Sequence, residues 1–223
     1  MKVNYHKLML DEISQITKEN RRPKLLLHSC CAPCSSFVLQ TLSQYFELDV
    51  YFFNPNIHPE KEYLRRLEEQ IRLVEEMGLT YQVIGPDHDS HLFYEAIKGC
   101  ERLGEGSERC FKCFDLRLDK AAEYAAAHGF EYFTTTLTIS PMKNAAKLNE
   151  LGEKAGQKYN VKFLNSDFKK NNGYKCSVEL SKKHDLYRQH YCGCAFSIKE
   201  SKEREARKLE QIKEGNLSCE IVK

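Results

Sequence analysis

"KLLLHSCCAPCSS", residues 24–36, reads as an apolar strand that runs into three cysteines and then reopens as a helix. Leu25, Leu26 and Leu27 form the continuous run expected of a strand buried on both faces, and Cys30, Cys31 and Cys34 follow within five positions. Outward from this stretch the pattern repeats. Strands are predicted at Lys24–His28, Leu48–Phe53, Thr80–Ile84, Tyr132–Thr136 and Val161–Leu164. Helices are predicted over residues 5–19 and at Ser36–Tyr45, Pro59–Met77, His91–Lys98, Cys113–His128 and Asn144–Tyr159. Alternation at this spacing argues for right-handed βαβ units and a parallel α/β sheet covered on both faces. Pro59 suits the first turn of its helix, and Gly78 and Gly129 fall where helices should stop.

Beyond residue 165 the β signal fades into short helices and loops that end in "KESKEREARKLEQIKEG", residues 199–215. The mixed signs of that segment mark a plain charged helix rather than an RNA-binding arm. No linker or internal repeat interrupts the chain, so one domain is expected over 1–223. It would comprise an N-terminal helix within 1–20, an α/β core over 24–164, and a helical C-terminal part over 165–223 that completes the site.

A chain of 223 residues can bury a core without staples, and 41% hydrophobic with 30% charged residues is ordinary for a globular protein. No stretch approaches the roughly 18 apolar residues of a membrane span. The first twenty residues carry too many charges for a signal peptide. The expected compartment is the cytoplasm, with no membrane partner. Ten cysteines in a reducing compartment point to metal ligands or catalysts rather than disulfides. A net charge of +2 does not announce nucleic-acid binding, although a local basic face is compatible with it.

Seven cysteines fall into three groups: Cys30, Cys31 and Cys34; Cys110 and Cys113 in "RCFKC"; Cys192 and Cys194 in "YCGC". Cys100, Cys176 and Cys219 stand alone and read as incidental or packed thiols. "CAPC" at a helix start suits a thioredoxin-like dithiol, but that chemistry has no use for the preceding Cys30 or the two downstream pairs. One zinc would be satisfied by four thiolates, for example Cys31, Cys34, Cys110 and Cys113. Seven thiols exceed one zinc. A 4Fe–4S cluster takes four, leaving three for a neighbouring metal ion or for substrate. In an open α/β sheet, ligands bind outside the carboxyl ends of the strands. The Cys30–Cys34 loop, "FFNPNIHP" (52–59) and "TTTLTISPMKN" (134–144) all fall there. Asn54, Asn56, Ser140, Lys143 and Asn144 are accordingly candidates for the substrate side. His28, His58, Tyr63, Asp115 and Arg117 are candidates for proton donation or substrate contact.

"LLLHSCCAPCSS", "FFNPNIHPEKEYLRR", "ERCFKCFDLRL", "TTTLTISPMKN" and "DFKKNNGYKCSVELSKKHDLYRQHYCGCAFS", in this order over roughly residues 24–197, resemble the QueH-type epoxyqueuosine reductases. The resemblance implies a Rossmann-like sheet of the adenine-nucleotide α-hydrolase-like type. It also implies a cobalamin-independent, two-electron removal of the epoxide oxygen from epoxyqueuosine at the tRNA wobble position. A 4Fe–4S cluster beside a further mononuclear iron would do this work. On this resemblance Cys30, Cys31, Cys34, Cys110, Cys113, Cys192 and Cys194 are metal ligands. Cys110 and Cys113 would bind the cluster with one thiol from each other group, Cys34 would serve the extra iron, and His28 and Cys34 are the catalytic candidates.

The tRNA anticodon loop is single-stranded RNA held by stacking and phosphate contacts. "FKKNNGYK" (168–175), with Lys169, Lys170 and Tyr174, and Arg188 beyond it, has the residues for this. No G-x-G-x-x-G flavin or nicotinamide fingerprint is present, so an external ferredoxin- or flavodoxin-like donor is expected. Two alternatives stay open. An iron–sulfur tRNA sulfur transferase would need the phosphate loop S-G-G-x-D-S where this chain has "HSCCAPC". A non-catalytic zinc- or cluster-stabilised RNA-binding module would leave three cysteines without a task.

Overall fold

The computed structural model describes residues 3–220, with side chains through residue 211. Five parallel strands lie in the order β3-β2-β1-β4-β5: β1 Lys24–His28, β2 Glu47–Tyr51, β3 Val83–Ile84, β4 Tyr132–Thr135 and β5 Lys162–Phe163. The helices are α1 Tyr5–Lys18, α2 Ala32–Leu42, α3 Glu60–Glu76, α4 Ser90–Ala96, α5 Glu108–Ala127, α6 Ala145–Tyr159, α7 Gly173–Lys183 and α8 Ala195–Glu220. A 3-10 turn over Thr136–Ile139 follows β4. The Rossmann-like α/β class read from the sequence is the architecture observed, with a helical C-terminal elaboration.

Strand alternation explains the two cores. Leu25 and Leu27 pack on one face with Met9, Ile13, Val38 and Leu42, while Leu26 packs on the other with Leu118, Ala122 and Phe133. All three leucines are fully buried, worth about 1.5–3 kcal/mol each. β1 is central, with Leu27 opposite Val50 of β2 and Leu27 opposite Thr134 of β4. The chain leaves β1 toward β2 and returns to β1's other side as β4, so the direction of winding reverses between β1 and β4. A crevice opens where it reverses, beyond the carboxyl ends of the strands.

Several boundaries differ from the sequence expectation. α2 begins at Ala32 rather than Ser36, because Pro33 is compatible with a first helical turn, and Cys31 occupies the N-cap. α5 begins at Glu108 rather than Cys113, with Ser107 at the N-cap. Pro59 is the N-cap of α3, one position before the first turn. β3 is only two residues long. Gly78 and Gly129 stand just past α3 and α5 with positive φ, as expected of helix stops. Among the described residues no helix is long and apolar enough to cross a membrane.

Candidate metal centre

Three thiols gather where β1 gives way to α2. Ser29 extends the ladder through its N–H to the Tyr51 carbonyl, 3.0 Å, and the chain then turns into the helix. The Sγ atoms of Cys30, Cys31 and Cys34 lie within 4.8 Å of one another, and those of Cys30 and Cys31 are 3.8 Å apart. Thiol hydrogen bonds from Cys31 and Cys34 hold the Cys30 thiol well below its ordinary range. The same bonds push Cys31 up to about 12 and Cys34 upward.

The loop is clamped from α3 and from the β2–α3 turn. Ser29 Oγ and Ser35 Oγ, on either side of the cysteines, both donate to Gln70 Oε1 at 2.7 Å. Asn54 Nδ2 donates to the Ser29 carbonyl at 2.9 Å. Gln70 is fully buried, so replacing it with leucine strands the buried Ser29 hydroxyl, while Ser35 keeps the Ala32 carbonyl at 3.1 Å. Gln70→Leu is expected to cost about 1–3 kcal/mol in urea unfolding.

Cys110 and Cys113 lie three apart in the first turns of α5 and so share a helix face. With Cys192 and Cys194 they line a second, smaller cavity. Gly106 N–H donates to Cys110 Sγ at 3.3 Å, and Ser197 N–H to Cys194 Sγ at 3.4 Å. Burial pushes Cys113 up to about 12 and raises Cys110 and Cys194, so these thiols stay protonated until a metal displaces the protons. Gly193 takes φ +122°, and a Cβ there would meet Arg66 Nη1 at 2.9 Å. Only glycine lets the two cysteines turn inward around that guanidinium, which donates to the Cys192 carbonyl at 3.1 Å.

Cys192 also lines the larger cavity, of about 360 Å³, beside Cys30, Cys31 and Cys34. The seven thiols thus form a set of three and a set of four joined at Cys192. This differs from the expected mix of one thiol from each group with Cys110 and Cys113. The cause is the 184–194 segment, which lies along α3 and carries both of its cysteines to α5. Glu69 accepts from Tyr187 N–H at 2.6 Å, and Arg72 donates to the carbonyls of His184 and Asp185.

Cations surround the sulfur. Arg109, 3% exposed, pairs with Glu200 at 2.8 Å, and Arg66, 2% exposed, donates through Nε to Glu62 at 2.7 Å. Arg117, 1% exposed, has Asn54 Oδ1 as its hydrogen-bond acceptor, and its Nε and Nη1 have none. Among the described residues no carboxylate comes within ion-pair distance of it. A buried guanidinium without a counter-ion is costly. Thiolates at the neighbouring Cys30 and Cys113 would supply the missing negative charge. Burial alone would lower the Lys143 ammonium, but the sulfurs of Cys192, Cys30 and Cys34 beside it outweigh that and hold the group above its ordinary value. An all-sulfur donor set with an orphaned cation beside it fits an anionic metal–thiolate group.

The other sequence candidates separate. Lys143, Ser140, Tyr174 and Arg188 line the larger cavity, and Arg188 Nη2 donates to Tyr174 Oη at 3.2 Å. Asn56 borders the four-thiol cavity with its Oδ1 unpartnered. The catalytic expectation for His28 is corrected. The ring is fully buried, Nδ1 lies 2.8 Å from Thr135 Oγ1, Nε2 lies 3.2 Å from the Phe53 carbonyl, and burial lowers its pKa to about 3. It is a neutral tie between strand ends, with no proton to offer the cavity.

Asn144 is likewise the N-cap of α6, accepting from Lys147 N–H, and not a cavity residue. Asn54 is fully engaged by Ser29 and Arg117. Lys169 pairs with Asp167 at 2.6 Å, and Lys170 is exposed outside the cavity. Tyr63 donates to the carbonyls of Phe52 and Pro86, Asp115 pairs with Lys154 and His58 is exposed, so none of these three faces the thiols. Cys100 and Cys176 line neither cysteine cavity, and the Cys219 side chain lies outside the described residues. Arg66 and Arg109 were not singled out in the sequence. Arg66 had a legible signal: it sits on the buried stripe Tyr63, Arg66, Gln70, Leu73 at helical spacing.

An open parallel α/β sheet with seven free thiols and buried cations gathered in two adjoining cavities beyond its strand ends defines a protein with a candidate thiolate metal site. The protein-family model described as "Epoxyqueuosine reductase QueH" matches residues 25–200. The chain belongs to this family. The epoxyqueuosine reductase QueH of Staphylococcus epidermidis is 45% identical over 202 residues, covering 88% of this chain and 85% of that one. The enzyme of the same name from Streptococcus pyogenes is 44% identical over 202 residues, covering 89% and 79%. Among solved structures, the U34-tRNA thiolase NcsA of Methanococcus maripaludis with its 4Fe–4S cluster aligns at TM-score 0.45 with 11% identity, over 82% of this chain and 65% of that one. So slight a likeness carries no argument.

Proposed function

We propose that this chain is an epoxyqueuosine reductase that removes the epoxide oxygen of the modified wobble base in tRNA, with Cys110, Cys113, Cys192 and Cys194 holding a 4Fe–4S cluster and Cys30, Cys31 and Cys34 a separate iron. The single observation that supports this division is that four thiols line one cavity and three cluster within 4.8 Å beside another, with Cys192 common to both walls. Four thiolates complete one cluster, and three leave a single ion an open position.

The reaction takes up two electrons and two protons, breaks both carbon–oxygen bonds of the epoxide and releases water. When bound, the metals supply single electrons and a Lewis-acidic position for the departing oxygen. The chain's own groups do the rest. Lys143 keeps a positive charge on the cavity wall, where it attracts the oxygen as negative charge develops. Tyr174 and Arg188, paired at the cavity, offer a stacking face and a phosphate contact to the anticodon loop, with Lys170 outside as a further backbone contact. An external ferredoxin- or flavodoxin-like protein supplies the electrons.

Anaerobically purified protein is expected to carry about four sulfides and about five irons per chain and to convert epoxyqueuosine-containing tRNA when supplied with a reductant. Zinc near one per chain, no sulfide after reconstitution and no turnover would replace this reading with a structural zinc module.

A further inference from the structure

Among the described residues that line the larger cavity, Glu105 is the only carboxylate, facing a wall that includes Arg66, Lys143, Arg188 and Arg204. It borders the four-thiol cavity as well, so it stands where the two meet. Its loop is fixed to the metal centre: Ser107 Oγ donates to the Gly104 carbonyl at 2.5 Å, and Gly106 N–H donates to Cys110 Sγ. Its partner is Arg204 of α8, a single contact of 3.1 Å between partly exposed side chains. A surface pair of this kind contributes little and exchanges readily.

Cations in an RNA-binding cavity answer to phosphates, but a carboxylate there repels the backbone unless it meets a positive charge on the ligand. Epoxyqueuosine carries one. A secondary amine, protonated at neutral pH, joins the deazaguanine methylene to the cyclopentane carbon next to the epoxide. We propose that Glu105 is a specificity-determining residue that takes this ammonium in exchange for Arg204, and so sets the epoxide ring at the junction of the two thiol sets. The inference rests on the reductase reading above.

The test uses anaerobically reconstituted protein and two tRNAs that differ only at the wobble base, 7-aminomethyl-7-deazaguanine against 7-cyano-7-deazaguanine, with dissociation constants measured directly. The wild type is expected to favour the amine by about tenfold, the size of a charge-assisted contact. Glu105→Gln should erase the preference with iron and sulfide per chain unchanged, and Arg204→Gln should retain it. Equal binding of the two tRNAs by wild type, or a preference that survives Glu105→Gln, overturns the inference. A preference lost equally in Arg204→Gln shows a latch rather than a ligand. Turnover of epoxyqueuosine-containing tRNA is read separately, so its absence in wild type counts against the reductase reading alone.

Discussion

Cys113→Ser is expected to strip the protein of sulfide and of turnover, whereas Cys34→Ser removes one iron and leaves about four sulfides in place. The asymmetry follows from the two thiol sets. Cys113 is buried in the four-thiol cavity on α5, and a serine there offers a harder donor that an iron–sulfur group accepts poorly. Cys34 belongs to the trio on α2, where two other thiols remain within 4.8 Å. Iron and acid-labile sulfide per chain, measured beside the visible spectrum, separate the two variants. Equal loss of sulfide in both would mean that the sets share one cluster, and would overturn the division.

Arg117→Met should change sign with metal content. In the apo-protein Arg117 is a buried cation with no carboxylate at ion-pair distance among the described residues, so exchanging it for an apolar chain is expected to be neutral or to stabilise by about 1–4 kcal/mol. In the loaded protein the same exchange removes the counter-charge of the metal–thiolate group and is expected to cost about 3–5 kcal/mol. Urea unfolding under anaerobic conditions, with and without reconstitution, reads both. The reduction potential of the loaded variant should move negative, because a positive charge that favoured the electron-rich state is gone. A shift of the same sign and size in both forms would show that Arg117 serves only Asn54 and the fold.

The sheet was legible because each buried strand announces itself: Leu25 to Leu27 must be covered on both sides, and Tyr132 to Thr135 repeats the pattern. Helix starts were less legible at the thiols themselves. Cysteine has no strong capping preference, so Cys31 at an N-cap and Cys110 in a first turn looked like loop. Grouping of the thiols was hidden because it depends on where residues 184–194 lie, which is decided by side chains of α3 more than a hundred positions away. Asn144 and His28 misled for a common reason. Polar residues at a strand end or a helix N-cap can satisfy neighbouring groups of the fold instead of meeting a ligand, and only the hydrogen-bond partners distinguish the two uses.

The split of the thiols also orders events during synthesis. The loop of the trio is held by residues no later than Thr136: Gln70 and Asn54 clamp it, and Thr136 Oγ1 accepts from Cys30 N–H at 3.2 Å. Cys110 and Cys113 must wait for Cys192 and Cys194, which a ribosome delivers some eighty residues later, at about 5–20 residues per second. For several seconds the nascent chain can hold the three-thiol loop and its clamps before either cavity wall is complete. Assembly of the four-thiol wall is therefore the later step, waiting until the 184–194 segment has docked on α3.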